Sequence, residues 1–269
     1  MEVKNVLMAI VLSTLVLVFW ATFFEPPPVE QQIVENEITK SEELSSPSIE
    51  ETESSKKIER DEAIASVSRV KIENKNIKGS ISLEGAIIDD VTFKNYKVSL
   101  ESDKNVVLLN PKSTPKGYYI STGWGSNSNE KLKLPLENTL WKVKGNTTLT
   151  PNNPIVLEWN NNDGLIFTKK IELDHEFLFR ITQGIKNISN KSYEFYPYAQ
   201  ITRNYKPDVI PIYILHEGFI GMFDDELKEE DYKDIEEEKF TINSLNGWLG
   251  ITDKYWLTAI VPEKGKKFK

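Results

Sequence analysis

The segment "GLIFTKKIELDHEFLFRITQGIKNISNKSYEFYPYAQITRN", residues 164–204, decides the fold class because apolar and polar residues alternate along it. Two sets of apolar residues each share one parity: Leu165, Phe167, Ile171 and Leu173, and then Phe177, Phe179, Ile181 and Ile185. A period of two is typical of half-buried antiparallel strands. The breaks at "LDHE" and "NISNKS" are short and rich in turn-forming residues, so the segment is predicted to form a meander.

Shorter segments upstream have the same strand character: "GSISLEGAIIDDVTF" (79–93), "NVVLLN" (105–110), "GYYISTGW" (117–124) and "NPIVLEW" (153–159). No long segment with a helical period separates them, which disfavours a parallel sheet with crossover helices. The sequence therefore predicts a mainly β fold, an antiparallel sandwich. The one segment with helical character is "DDELKEEDYKDIEEEKF", residues 224–240, whose many acidic residues predict a solvated helix or loop.

The segment "VLMAIVLSTLVLVFWATFF", residues 6–24, carries no charge and as a helix would reach roughly 28 Å, close to the thickness of a bilayer core. A cleaved signal peptide is the alternative, but aromatic residues stand where small residues should precede a cleavage site. We therefore expect residues 1–24 to form a transmembrane anchor with a cytoplasmic N-terminus. Residues 25–66 are rich in Pro, Ser and Glu and predict a disordered linker, followed by an exported β domain over 67–269.

Composition and motifs exclude several classes of function. The formal net charge of −8 disfavours sequence-independent binding of nucleic acid, which requires excess Lys and Arg. The absence of Cys excludes disulfides and thiolate chemistry. The sequence contains no Walker loop, nucleophile elbow or dinucleotide fingerprint. These observations point away from the common nucleotide-dependent and hydrolytic enzymes.

The two histidines, His175 and His216, are too few for a histidine-rich metal site. His216 beside Glu217 could form an acid/base pair. Neighbours in an extended chain point in opposite directions, however, and Gly218 and Gly221 suggest a turn, so a structural role is favoured. We assign no catalytic, cofactor-binding or metal-binding residue.

The segment "GWLGITDKYWLTAIVP", residues 247–262, is predicted to form a core strand with its approach loop. The chain has an apolar N-terminal segment and an acidic linker, followed in order by "GSISLEGAIIDD", "YYISTGW", "ILHEGFIG" and "GWLGITDKYWLTAIVP". In this arrangement it resembles the YidC membrane protein insertases of Gram-negative bacteria. The resemblance covers the predicted anchor and nearly all of residues 67–262.

The resemblance implies a bacterial inner-membrane protein that inserts, folds and assembles integral membrane proteins, alone or with the Sec translocase and its accessory subunits. It implies no enzymatic activity and no cofactor; the partners are nascent membrane proteins and the lipid bilayer. The main domain is expected in the periplasm with a β-supersandwich fold similar to that of galactose mutarotases. In the family, a later bundle of five membrane helices encloses a hydrophilic groove with an arginine, which lowers the cost of moving polar segments across hydrocarbon.

After Pro262 this sequence continues only with "EKGKKFK". We therefore expect a fragment or truncated reading frame that lacks the later bundle, with a β domain that is incomplete at its C-terminus. Two alternatives stay open. One is a membrane-tethered sugar-binding or mutarotase-like domain, which requires a cleft with an acid/base pair. The other is a structural envelope protein that serves as a docking domain.

Overall fold

The computed structural model describes residues 12–14, 58–127, 132–207, 216–237 and 239–269. Residues 12–14 are helical, and two further short helices are α1 (Arg60–Ala65) and α2 (Tyr232–Glu237). The strands are β1 (Arg69–Glu73), β2 (Ile77–Ser82), β3 (Ile87–Lys97), β4 (Asn105–Leu109), β5 (Tyr118–Gly125), β6 (Lys142–Lys144), β7 (Thr148–Leu149), β8 (Ile155–Asn160), β9 (Leu165–Leu173), β10 (Phe179–Asn187), β11 (Tyr196–Arg203), β12 (Gly218–Phe223), β13 (Glu226–Asp231), β14 (Gly247–Thr252) and β15 (Leu257–Ile260). The mainly β prediction is confirmed.

The strands form three sheets. The main sheet has the order β11-β5-β3-β2-β1-β7, with β4 also paired to β3, and the second sheet has the order β10-β9-β8-β6. The C-terminal sheet has the order β13-β12-β14-β15. Neighbouring strands are antiparallel except for β1 and β7, which are parallel, so the main sheet is mixed. The expectation of purely antiparallel pairing is wrong at that one edge.

The main and second sheets share one apolar core. On the main sheet, Ile72 and Ile81 are fully buried, and on the second sheet Leu157 and Phe167 are equally buried. The residues of β9 alternate between buried and partly exposed, as the period of two predicts. Burial of an apolar side chain contributes about 1.5–3 kcal/mol, so this shared core is the main source of stability.

The predicted meander is confirmed only for its first hairpin. Strands β9 and β10 pair along their full length, from Leu173 opposite Phe179 to Leu165 opposite Asn187. Strand β11 does not continue this sheet but pairs with β5 in the main sheet. The segment "NISNKS" is thus part of a crossing between sheets, which alternation cannot reveal because both destinations offer a half-buried edge.

The sequence "GSISLEGAIIDD" lies in the hairpin of β2 and β3, and contacts in this hairpin account for its glycine and aspartate residues. Gly79 lies so close to β3 that a Cβ atom would stand 1.9 Å from the carbonyl oxygen of Asp90. At the other end of this segment, the buried carboxylates of Asp89 and Asp90 form ion pairs with Arg69 and Arg60, respectively. Burial raises the pKa of Asp89, while the Arg69 guanidinium acts in the opposite direction.

Helix α1 falls within residues 25–66, the range predicted as a disordered linker. Ala63 is buried, and Arg60 of the same helix pairs with Asp90 of β3. The last residues of that range therefore belong to the folded domain, and the boundary placed after residue 66 is too late. Composition did not indicate this because the helix is held by tertiary contacts, among them the burial of Ala63 and the Arg60–Asp90 ion pair.

The acidic segment 224–240 is only partly helical. Its first half is strand β13, paired with β12, and helix α2 follows. Asp224 and Asp225 have φ values of 46° and 73°, the left-handed conformation that a tight two-residue hairpin turn requires. The acidic composition suggested a solvated helix or loop. The hairpin turn instead reverses the chain, so that β13 pairs with β12 as the edge strand of the sheet.

The segment 247–262 forms the hairpin of β14 and β15, so the prediction of one core strand is wrong. Ile251 is buried, but Tyr255 and Val261 are 71% and 68% exposed. Gly218 and Gly221 lie within β12 and pair with β14, which corrects the predicted turn at these glycines. Gly247 has φ of 138°, and a Cβ there would stand 1.8 Å from the carbonyl oxygen of Met222.

Most of the predicted anchor, residues 1–24, and most of the predicted linker lie outside the described residues. Within the part of the chain that the structure describes, no helix has the length and apolar character needed to cross a membrane.

We expect Gly79→Ala to lower the free energy of unfolding by about 1–3 kcal/mol, because the added Cβ collides with backbone that has no room to move. Gly125→Ala in β5 is the matched control, since the nearest heavy atom to its Cβ would be 3.9 Å away. Urea unfolding followed by tryptophan fluorescence measures both. The steric explanation would be contradicted if Gly125→Ala changed the free energy of unfolding by more than about 0.5 kcal/mol, or if the two substitutions had equal effects.

Candidate functional site

A narrow cavity lies between the main and second sheets. Its wall includes backbone or side chains of Gly85, Ile87, Ser121, Thr122, Pro135, Leu136, Glu137, Trp141, Lys169 and Tyr198. The β2–β3 turn positions one side of it, because Gly85 donates to the carbonyl of Thr139 (2.8 Å) and Trp141 donates to that of Leu83 (2.9 Å). Two sheets and one long connection therefore meet at this cavity.

Lys169 of β9 is the fully buried ionisable group at this junction and is only 1% exposed. Its Nζ donates to the carbonyl oxygen of Thr122 at 2.6 Å and to that of Gly85 at 3.4 Å. Nζ also lies 4.9 Å and 5.9 Å from the ring centroids of Trp141 and Trp124. The amine thus joins the second sheet to the main sheet through carbonyl oxygens and indole faces.

Burial lowers the pKa of Lys169 to about 7, because the ammonium form loses its hydration. The carbonyl contacts and the indole faces favour the ammonium form and act in the opposite direction, but burial dominates. Glu137 and Tyr198, which also line the cavity, are the other titratable groups in its wall. Glu137 is half-exposed and lies 3.5 Å from Lys112 Nζ, so its charge is partly balanced at the surface.

The cavity does not match the cleft that a sugar-binding or mutarotase-like domain requires. Its enclosed space is about 10 Å³, enough for about one water molecule and far below the roughly 300–1,000 Å³ of typical ligand sites. Neither His175 nor His216 lines it. This cavity, among the residues that the structure describes, therefore gives no support to the sugar alternative.

The predicted site residues lie elsewhere. His175 is exposed in the β9–β10 turn, where its carbonyl accepts from Asn76 Nδ2 at 3.3 Å. His216 Nε2 lies 2.9 Å from the carbonyl of Phe219, and its Nδ1 lies 3.5 Å from Asp231 Oδ1 on the neighbouring strand. These contacts hold the start of β12, which fits the structural role favoured for His216 over pairing with Glu217.

A second polar cluster joins the C-terminal sheet to the main sheet. Arg203 of β11 donates from both terminal nitrogens to the carboxylate of Asp253, at 2.7 and 2.8 Å. The hydroxyls of Tyr232 and Tyr205 accept from the same guanidinium at 2.7 and 2.9 Å. The ring of Tyr118 lies 4.6 Å below it, and burial raises the pKa of Tyr118 to about 12. This partly buried arrangement holds the two sheets together.

An aromatic cluster forms a further contact among the three sheets. Trp256, in the β14–β15 turn, packs on Phe93 at 4.6 Å and on Tyr96 at 5.0 Å between ring centroids. Phe177, from the β9–β10 turn, meets Phe93 at 5.8 Å. Within residues 58–127, 132–207, 216–237 and 239–269, no group of three or more potential ligands could hold a metal ion.

Sequence reasoning did not select Lys169, Arg203 or Asp253. A signal existed for Lys169, since it has the parity of Phe167 and Ile171 and must therefore point into the core. No local signal marked Arg203 and Asp253, because they are 50 residues apart and meet only in the tertiary structure.

Comparison with known proteins gives a consistent result. The sequence model of one family, the YidC periplasmic domain, matches residues 69–269. Membrane protein insertase YidC of Pelagibacter ubique is 43% identical over 100% of this chain and 48% of its own length. Those of Bradyrhizobium diazoefficiens and Rickettsia bellii are each 36% identical, over 97% and 99% of this chain and 46% and 48% of their own lengths. The chain thus spans about half the length of these relatives.

Lys169 makes the stability depend on pH. The pKa of Lys169 is lower in the folded state than in the unfolded state. The loss of stability caused by burying its charged form is therefore complete below about pH 7, and it disappears as the pH rises toward 10.5, the pKa in the unfolded state. Relative to Lys169→Met, the natural chain should gain up to about 3 kcal/mol of unfolding free energy between pH 7 and 10. Urea unfolding at several pH values measures the difference.

The matched control is Lys170→Met, because Lys170 is the next residue and is exposed beside Glu172. Its difference from the natural chain should stay within about 0.5 kcal/mol across the same range. The same pH slope for both variants would show that burial of Lys169 is not the cause.

Proposed function

The chain belongs to the YidC family, and on that premise we propose that the protein takes part in the insertion, folding and assembly of integral membrane proteins. The observation that carries this proposal is the family match over residues 69–269 together with the 43% identity that extends over the whole chain. The relatives are named membrane protein insertases, and they are about twice as long as this chain. Insertion is therefore proposed for the complete protein, with the described domain as one part of it.

In this proposal, residues 1–24 anchor the protein in the bacterial inner membrane with the N-terminus in the cytoplasm. The charge-free segment 6–24 supports a spanning helix. Residues 25 to about 57 act as a linker, and the β domain lies in the periplasm. The main and second sheets, which share one core, are compatible with a β-supersandwich.

We propose a docking and positioning role for the domain, without catalysis and without a cofactor. Its polar clusters, around Lys169 and Arg203, are occupied by contacts between sheets, which supports a structural assignment. The proposed partners are nascent membrane proteins, the Sec translocase with its accessory subunits, and the lipid bilayer. The net charge of −8 argues against nucleic acid as a partner.

The absence of natural cysteines permits a clean test of topology. Glu101→Cys lies in the exposed turn between β3 and β4, and Asn5→Cys precedes the predicted span. In cells with a permeabilised outer membrane, a membrane-impermeant maleimide should label Glu101→Cys at once. It should label Asn5→Cys only after the inner membrane is also opened. Labelling of Asn5→Cys while the inner membrane is intact would contradict the proposed orientation.

Complementation tests the proposed activity. In insertase-depleted cells, this chain joined to the second half of a relative should restore growth and the protease-protected insertion of an inner-membrane protein. Two controls test whether the β domain contributes. One is the second half of the relative without this chain, and the other is the fusion carrying Gly79→Ala. A fusion that reaches the membrane at the relative's level but restores neither growth nor insertion would contradict the proposal.

A further inference from the structure

The second sheet turns one face toward the shared core and the other toward solvent. Along its strands the core-facing residues alternate with residues that point outward, so Leu157 and Phe167 are buried while their strand neighbours are not. The register of β6, β8, β9 and β10 brings the outward residues of all four strands onto one surface. We call this surface the outer face; its charged residues are Lys142, Lys144, Glu158, Lys170, Glu172, Arg180 and Lys186.

The two carboxylates of the outer face are already paired within it. Glu158 Oε1 lies 3.0 Å from Lys144 Nζ, across the pair of strands β6 and β8. Glu172 Oε1 lies 2.7 Å from Lys170 Nζ on the same strand. The negative charge of the outer face is therefore balanced by two of its own lysines, and the remaining basic residues are in excess.

These remaining basic residues are Lys142, Arg180 and Lys186. All three are exposed, and none of them forms an ion pair with another residue in the part of the chain that the structure describes. Arg180 and Lys186 both lie on β10, about 20 Å apart at the usual rise of a strand. The whole chain has a formal net charge of −8, so this positive surface is a local exception and is the one that attracts a negative partner.

The shape of the outer face favours an extended partner over a small ligand. Its basic side chains stand on three neighbouring strands and on β6, and the cavity beside Lys169 lies on the opposite side of the sheet. Leu178 and Ile188 flank β10 with the same parity as Arg180 and Lys186, and they are 55% and 59% exposed. Cations in line with exposed apolar side chains are typical of surfaces that bind the headgroup region of a negatively charged bilayer.

We propose that the outer face docks the domain on a bilayer that contains anionic phospholipids. The unpaired cations Lys142, Arg180 and Lys186 lie against lipid phosphates, and Leu178 and Ile188 contact the boundary of the acyl chains. The inference rests on the proposed anchor, because residues 6–24 hold the domain near such a surface. One Lys or Arg near an anionic surface strengthens association about fivefold, and salt screens this effect.

The absence of cysteine allows a fluorophore to be placed at one chosen position of the full chain. Thr182→Cys lies in the middle of the outer face and is exposed. Lys78→Cys is the matched control, since Lys78 is exposed on β2 and alternates with the core residue Ile77, so it points away from the second sheet. Each labelled chain is reconstituted in vesicles that carry a quencher on their headgroups.

We expect the fluorophore at Thr182→Cys to be quenched at least about fivefold more in vesicles of phosphatidylcholine with phosphatidylglycerol than in phosphatidylcholine alone. The label at Lys78→Cys should show no such difference. Raising NaCl from about 50 to about 500 mM should remove the difference at Thr182→Cys, because the screening length becomes shorter than the spacing of the charges. Equal quenching of Thr182→Cys in the two kinds of vesicle would overturn the inference.

A pair of double variants tests the cations themselves. Arg180→Gln with Lys186→Gln should lower the ratio of docked to undocked domain at least about tenfold, because two cations leave the outer face. Lys78→Gln with Lys116→Gln removes the same charge from exposed positions elsewhere and should leave the ratio unchanged. Equal effects of the two double variants would show that net charge, and not the outer face, controls docking.

Two further measurements separate the alternatives. Soluble polyglutamate that binds at the Thr182→Cys label, in a chain that anionic vesicles do not quench, would overturn the inference in favour of an acidic protein partner. Flotation of the same samples tests the anchor, since a chain that does not float with phosphatidylcholine vesicles contradicts residues 6–24 as a span. In that case the quenching of added chain by anionic vesicles still decides whether the outer face binds lipid.

Discussion

Burial of one face of the main sheet against one face of the second sheet is the constraint on which the rest of the structure depends. A single sheet is not stable with its apolar face in water. The chain passes from one sheet to the other and back, so the strands of both sheets must fold together. Strand β11 illustrates this, because it leaves the β9–β10 hairpin and completes the opposite sheet. The shared core therefore couples distant parts of the chain into one folding unit.

Lys169 is the exception that this core tolerates. Its side chain occupies a core-facing position at the centre of β9, and the carbonyl oxygens of Thr122 and Gly85 compensate part of the loss of hydration. The same contacts tie the two sheets together at the end of the β2–β3 turn.

The segments that carry the family resemblance have structural explanations. Gly79 permits close approach of β2 and β3, and Asp89 and Asp90 hold Arg69 and Arg60. Gly247 and Trp256 attach the C-terminal sheet, together with the Arg203–Asp253 pair. The contacts of these residues lie within and between the sheets, so each of them has a structural role.

The sequence by itself determined the mainly β class, the strand segments and the family resemblance, because alternation and turn chemistry are local properties. It did not determine which sheet receives β11, the extra strand β13 or the early start of the domain at helix α1, since these depend on partners far along the chain. The same holds for the cavity: Lys169, Trp141 and Thr122 acquire their roles only when two sheets and a turn converge. Tertiary structure decided these features because burial and charge pairing are properties of the surroundings, and local sequence does not specify the surroundings.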